Sequence, residues 1–187
     1  MVIVKLYGGL GNQLFQYATA RALAIRNDSL LKLDASSGFE RDFYKRRYSL
    51  NHFNIPENFA SPEEIAAATH VREKHFHFDP EFCTLRGDVY LDGYWQSERY
   101  FKPIEDTLRE ELSVRQPLAD VSRRIADEMA GTNSVCIHFR RLYGVSSGKV
   151  DIRGVNIHGT TAMDYYYRCI ERIAETVRDP YFFVFSD

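Results

Sequence analysis

Three short segments of this 187-residue sequence have residue types and spacings that could do chemistry. The first, Gly8-Gly9-Leu10-Gly11-Asn12-Gln13, follows an apolar run that begins at Val2. Glycines lack a Cβ, so they permit positive φ and close approach, leaving backbone N–H groups free to donate to an anion. The same cluster can also be no more than a tight strand-to-helix turn. Gly9 and Gly11 supply two glycines of a dinucleotide fingerprint, Leu14 stands where the third belongs, and Asp34 lies where a ribose-binding carboxylate would. An NAD(P)-dependent oxidoreductase therefore stays open as an alternative. The Lys-Ser/Thr ending of a phosphate-binding P-loop is absent, which argues against nucleotide hydrolysis of that kind.

The second segment is His138-Phe139-Arg140-Arg141. Strand alternation puts His138 and Arg140 on one face, and two guanidiniums at a strand end make a fork suited to a diphosphate. Exposed arginines are often only solvated, but this pair together with a glycine turn favours a nucleotide-diphosphate site. In the third, Tyr94-Trp95-Gln96, the aromatics either stack on a sugar ring or fill the core. His75, His77 and Asp79 alternate and would share one face of a strand, yet a metal site needs convergent ligands from elsewhere. We read them as a solvent-exposed stripe and expect no metal. No Ser-His-Asp or Cys-His arrangement can be inferred, so no covalent nucleophile is expected.

These segments must be positioned by an α/β framework. Residues 2–6 read as a strand, the following segment as a helix with Phe15, Ala18, Ala22 and Ile25 on one face, and residues 30–33 as a second strand ending at Asp34. A right-handed βαβ crossover and a parallel sheet follow. Residues 36–58, rich in aromatics, Arg and Asn without a clean period, read as an irregular excursion rather than a core element. Ser61-Pro62-Glu63-Glu64 is a helix start with a capping box, and the helix should end before His70. Residues 89–91 read as a strand and 104–112 as a helix. Val121, Ile125 and Met129 repeat at helical spacing, with Gly131 at the expected cap. The domain boundary is placed there, giving an N-terminal α/β domain over 1–130 and a second domain over 131–187.

The second domain repeats the pattern: strand 135–139, polar loop 140–159, a helix with Tyr166, Ile170, Ala174 and Val177 on one face and Thr161 with Asp164 at its cap, then strand 182–185. Two parallel strands with one crossover helix cannot cover both faces of a sheet, so this domain reads as incomplete. Ligands of open α/β sheets bind outside the carboxyl ends of the strands. Residues 8–13, residues 138–141 and Ser186-Asp187 occupy such ends.

Composition narrows the class. A hydrophobic fraction of 44% with 27% charged residues is ordinary for a globular chain, and 24 basic against 26 acidic residues give a net charge of −2. No overall pull toward nucleic acid or an anionic membrane is expected. The longest apolar run, residues 181–185, is far short of a membrane span, and the start lacks a signal-peptide pattern. Three cysteines, Cys83, Cys136 and Cys169, with no Cys-x-x-Cys fit a reducing compartment. A cytoplasmic location, peripheral at the inner membrane, is the expectation.

Taken in order, residues 8–18 (Gly-Gly-Leu-Gly-Asn-Gln-Leu-Phe-Gln-Tyr-Ala), Asp92-Gly93-Tyr94-Trp95-Gln96-Ser97 with Tyr100-Phe101, Ile137-His138-Phe139-Arg140-Arg141, and Phe183-Val184-Phe185-Ser186-Asp187 resemble the bacterial α-1,2-fucosyltransferases of glycosyltransferase family 11. The resemblance spans the whole chain. It implies a GT-B architecture of two Rossmann-like domains with a cleft between them, and inverting, metal-independent transfer of L-fucose from GDP-fucose to the 2-hydroxyl of a galactoside.

By the same resemblance Arg140, His138 and Asn12 are catalytic, and Arg140, Arg141, Gly9, Gly11, Asn12, Ser186 and Asp187 bind the donor. Tyr94, Trp95 and Gln96 are acceptor-binding candidates. A galactose-terminated oligosaccharide or lipid-linked glycan is the expected acceptor, with no cofactor beyond the donor substrate. Asp34 and Asp92 are candidates for the general base. The family continues its double arginine with Gly-Asp, whereas this sequence has Leu142-Tyr143, and its members are longer. The 187-residue chain is accordingly expected to have little or no transfer activity. A glycan-binding fragment without catalysis is the alternative of a different class.

Overall fold

Short β-branched and leucine-rich runs build the first sheet. β1 (Val2–Lys5), β2 (Leu31–Asp34), β3 (Thr69–Arg72) and β4 (Val89–Asp92) lie in the order β2-β1-β4-β3, every pair parallel. Central strands of such a sheet are covered on both faces, which is why β1 and β4 are nearly continuous in apolar residues. Their register aligns Lys5 with Asp34 and Arg72 with Asp92, so the carboxyl ends of all four strands share one edge. This computed structural model describes residues 1–139 and 163–186.

The chain divides into two compact units, Met1–Pro117 and Leu118–Asp187. In the first, α1 (Leu10–Arg26) follows the glycine turn and α2 (Pro62–Ala67) starts at the predicted capping box, with Ser61 and Glu64 exchanging hydrogen bonds. α3 (Glu105–Glu111) is pinned to α1 where Arg21 grips Glu111 with two guanidinium nitrogens, at 2.9 and 2.7 Å, and Tyr17 donates its hydroxyl to the same carboxylate. The β-α-β start and the parallel sheet agree with the sequence reading.

Four details differ from it. Ile25 is exposed, because α1 is buried through Gln13, Gln16, Tyr17, Ala20, Leu23 and Ala24, and its small alanines let it lie close against its neighbours. Residues 36–58 are irregular but not peripheral, since Leu50 and Ile55 join the core and Tyr48 and Phe53 pack on it. β3 was not foreseen; its Thr-His-Val-Arg sequence is too polar to announce a strand, and it lies at the sheet edge with Thr69, His70 and Arg72 exposed. His75, His77 and Asp79 do not share a strand face: the segment bends after β3, and the two imidazoles stack at 3.5 Å.

The second unit contains α4 (Asp120–Ala130), β5 (Asn133–Phe139), α5 (Met163–Thr176) and β6 (Pro180–Ser186), with β5 and β6 parallel. α4 groups here and packs on β5, whereas the sequence reading assigned it to the first domain; Pro117, not Gly131, marks the division. Gly131 caps α4 at φ −86°, without the left-handed conformation that makes glycine a strong stop signal. Val177 lies just beyond the end of α5.

Candidate functional site

The glycine turn is held from below by side chains of its own helix. Gly8 has φ +79°, a conformation that favours glycine, and a Cβ there would lie 2.6 Å from Asn12 Nδ2 and displace that side chain. Gln13 is fully buried; its Nε2 donates to the Gly8 carbonyl at 3.0 Å and the Arg47 carbonyl at 2.9 Å, while its Oε1 accepts from the Ser49 N–H at 2.9 Å. One turn later Gln16 accepts from the Tyr7 N–H at 3.1 Å and donates to the Gly93 carbonyl at 3.2 Å. Two buried amides therefore tie the turn to the loops that follow β2 and β4. Gly9 and Gly11 face open space, and no side chain caps the start of α1.

The loop after β4 is shaped by a carboxylate. Glu73, just past β3, accepts the Tyr94 N–H at 2.7 Å and the Trp95 N–H at 3.0 Å, which holds Trp95 at φ +55°. A Cβ on Gly93 would come within 2.4 Å of the Glu73 Cβ. This turn brings Gln96 to the glycine loop, where its Nε2 donates to Asn12 Oδ1 at 2.8 Å. Two residues singled out in sequence segments more than eighty positions apart thus meet directly.

Trp95 does not serve as a sugar platform. It is 3% exposed, with its ring 4.7 Å from Phe82 and 5.9 Å from Tyr100, and its backbone carbonyl faces the Thr19 hydroxyl on α1. The indole belongs to the core. Tyr94 points the other way along the loop and keeps its ring half-buried, 4.8 Å from Tyr7. A cavity of about 360 Å³ adjoins the turn, lined by Arg72, Glu73, His75, Phe82 and Trp95, but it gathers none of the other expected site residues.

Asp34 is also structural. It is 1% exposed and accepts hydrogen bonds from the N–H and hydroxyl groups of Ser36 and Ser37 and, at 2.8 Å, from the Tyr90 hydroxyl. Burial by itself raises its pKa, but the Ser37 and Tyr90 hydrogen bonds outweigh that and hold the carboxyl below its ordinary value. Burial together with the Asp34 carboxylate pushes the Tyr90 phenol up. A carboxylate with its lone pairs spent can neither grip a ribose nor take a hydroxyl proton. Asp92, at the end of β4, is partly exposed and pairs with Lys5 Nζ at 3.4 Å.

In the second unit, β5 and β6 set His138 opposite Phe185 and Phe139 opposite Ser186, so strand alternation puts His138 and Ser186 at the same carboxyl edge but on opposite faces of the sheet. The imidazole is exposed, while Phe139 turns to the other face and stacks on Tyr166 of α5 at 4.1 Å. Arg140, Arg141 and Asp187 lie outside the described residues, as do Leu142, Tyr143 and Thr161. Among the described residues no group of three or more His, Cys, Asp or Glu could hold a metal ion, and no helix is long and apolar enough to cross a membrane.

Comparison with known proteins supplies the family. The chain is similar to an alpha-1,2-colitosyltransferase of Escherichia coli, 30% identical over an alignment covering 100% of this chain and 69% of that protein. It is also similar to the O-antigen biosynthesis glycosyltransferase WbnK of Escherichia coli, at 27% identity over 97% of this chain and 71% of the relative. The sequence model of glycosyl transferase family 11 matches residues 1–187, from the glycine turn through the edge of the second sheet. With its parallel α/β sheets and a glycine loop tied to the Tyr94–Gln96 turn, the chain belongs to glycosyl transferase family 11 and is a glycosyltransferase.

Proposed function

We propose that the reaction is the inverting transfer of L-fucose from GDP-fucose to the 2-hydroxyl of a galactose-containing glycan. The observation that carries it is the family match over the entire chain, supported by the 1,2 linkage named in the colitosyltransferase relative. In this reaction the acceptor oxygen forms a bond to C1 of the sugar as the bond from C1 to the β-phosphate oxygen breaks. GDP departs with the electron pair, and the hydroxyl proton passes to a base. Arg140 and Arg141, with His138, neutralise the charge growing on the diphosphate; electrostatic stabilisation of this kind serves in place of a metal. By the family resemblance, Asn12, Gly9 and Gly11 of the first unit and Ser186 and Asp187 of the second are assigned to donor binding.

Of the two carboxylates considered as general base, Asp34 is closed off by its five hydrogen-bond donors, and Asp92 remains open. The same closure counts against the nicotinamide alternative, which needed Asp34 for the ribose. A colitosyl donor is the second reading, favoured by the name of that relative.

Calorimetric titration of the 187-residue chain with GDP, UDP and NADH tests the proposal. GDP is expected to bind, Arg140→Ala to lose that binding, and NADH to show none. Binding of UDP or NADH in preference to GDP overturns it. Parallel titrations with GDP-fucose and GDP-colitose separate the two donors.

A further inference from the structure

Every loop at the carboxyl edge of the first sheet carries an aromatic ring: Tyr7 after β1, Phe43 and Tyr44 after β2, Phe76 after β3 and Tyr94 after β4. Three of these rings form a row, with Tyr94 4.8 Å from Tyr7 and 6.4 Å from Phe76. Phe76 is 72% exposed. Burying such a ring elsewhere would have contributed roughly 2 kcal/mol of stability, so a single exposed Phe is unremarkable but a row along a ligand-binding edge is informative.

Charged groups interleave with the rings. Lys5 Nζ sits 5.8 Å from the Tyr7 ring and 3.4 Å from Asp92. The Arg46 guanidinium, braced by Asp42, stacks 4.8 Å from the Tyr44 ring. A surface that alternates rings with hydroxyl-binding ions fits a polyol that has one apolar face. A galactopyranoside has that shape, because its axial 4-hydroxyl leaves H3, H4 and H5 together on the opposite face. Stacking there keeps the 2-hydroxyl at the rim of the ring, free to react.

We infer that this aromatic edge is the acceptor platform, with the H3–H4–H5 face of a β-galactoside resting on Tyr94 and Phe76 and its hydroxyls reaching Asp92 and Lys5. Phe76 is the element that sequence motifs did not single out. The inference rests on the galactoside reading of the acceptor.

The test is saturation-transfer NMR of the 187-residue chain with methyl β-D-galactoside, with GDP affinity measured separately by calorimetry. Transfer is expected to be strongest at H3, H4 and H5. Phe76→Ala and Tyr94→Ala should each weaken galactoside binding by about three- to tenfold, the range of an aromatic contact. GDP affinity and the circular-dichroism melting curve of Phe76→Ala should stay unchanged, and Phe76→Tyr should restore galactoside binding. Galactoside binding unaltered in both alanine variants overturns the platform, as does no saturation transfer in the parent chain or transfer centred on other protons. In those cases retained GDP binding leaves the proposed transferase reaction standing. Loss of the GDP result with an intact platform overturns the donor reading instead.

Discussion

Replacing Gln13 by Leu removes three hydrogen bonds at nearly constant volume, and the consequence can be worked out from the partners left behind. The Gly8 carbonyl is buried and loses its Nε2 donor, a penalty of about 1–3 kcal/mol for an unsatisfied group. The Arg47 carbonyl and Ser49 N–H are partly buried and can recover water, so each loses about 0.5–1.5 kcal/mol. Together the loss is about 2–6 kcal/mol, large against a domain stability of about 5–15 kcal/mol. With a urea dependence of about 1–3 kcal/mol per molar, a loss near the middle of that range lowers the midpoint by at least about 1 M. Urea melts followed by circular dichroism measure this. Asn12→Ala, which removes one exposed hydrogen bond to Gln96, should change stability by less than about 1.5 kcal/mol. A Gln13→Leu midpoint within experimental error of the parent would refute the idea that this buried amide holds the glycine turn.

Other outcomes follow from the same geometry. Trp95→Ala should destabilise the first unit by about 3–5 kcal/mol, because the ring is packed in the core on Phe82 and Tyr100; the melting temperature checks this. The Asp34 pKa is depressed on folding, so its contribution is present above the ordinary value of 3.8 and is lost as pH falls below it; melting temperature against pH should flatten on that side in Asp34→Asn. Burial and neighbouring carboxylates raise the phenols of Tyr7, Tyr17, Tyr48 and Tyr90, so their contribution is complete below pH 10.0 and declines above it. A tyrosinate absorbance titration should show late, cooperative ionisation that coincides with alkaline unfolding. Arg140→Ala should weaken GDP binding by about tenfold or more without moving the melting temperature, consistent with loss of a charge-assisted contact. EDTA should leave GDP affinity unchanged, and metal-dependent binding would contradict the arginine-based account of the diphosphate site.

Local chemistry made much of this legible before any coordinates. The capping box at Ser61, the glycine turn and the alternation of short apolar runs with helical periods each depend on residues close in sequence, and these correspond to α2, the start of α1 and the parallel strands. Asn12 and Gln96 were named separately, from motifs, and the structure joins them. β3 escaped notice because a polar edge strand has no strong local signature. Leu50 and Ile55 escaped because an irregular segment shows no period even when it supplies core residues.

What the amino-acid sequence determined by itself was the family, the α/β class and the polar residues able to do chemistry, since these reside in residue identity and near-neighbour spacing. Only the tertiary structure decided which of those residues are free to act. Trp95 and Tyr94 are adjacent in sequence, yet Glu73 turns their backbone so that one ring enters the core and the other stays on the sheet edge. Asp34 and Asp92 both end strands, yet two serines and Tyr90 close around the first while the second stays open beside Lys5. Accessibility and hydrogen-bond saturation depend on groups distant in sequence, and only the packed sheet brings those groups together.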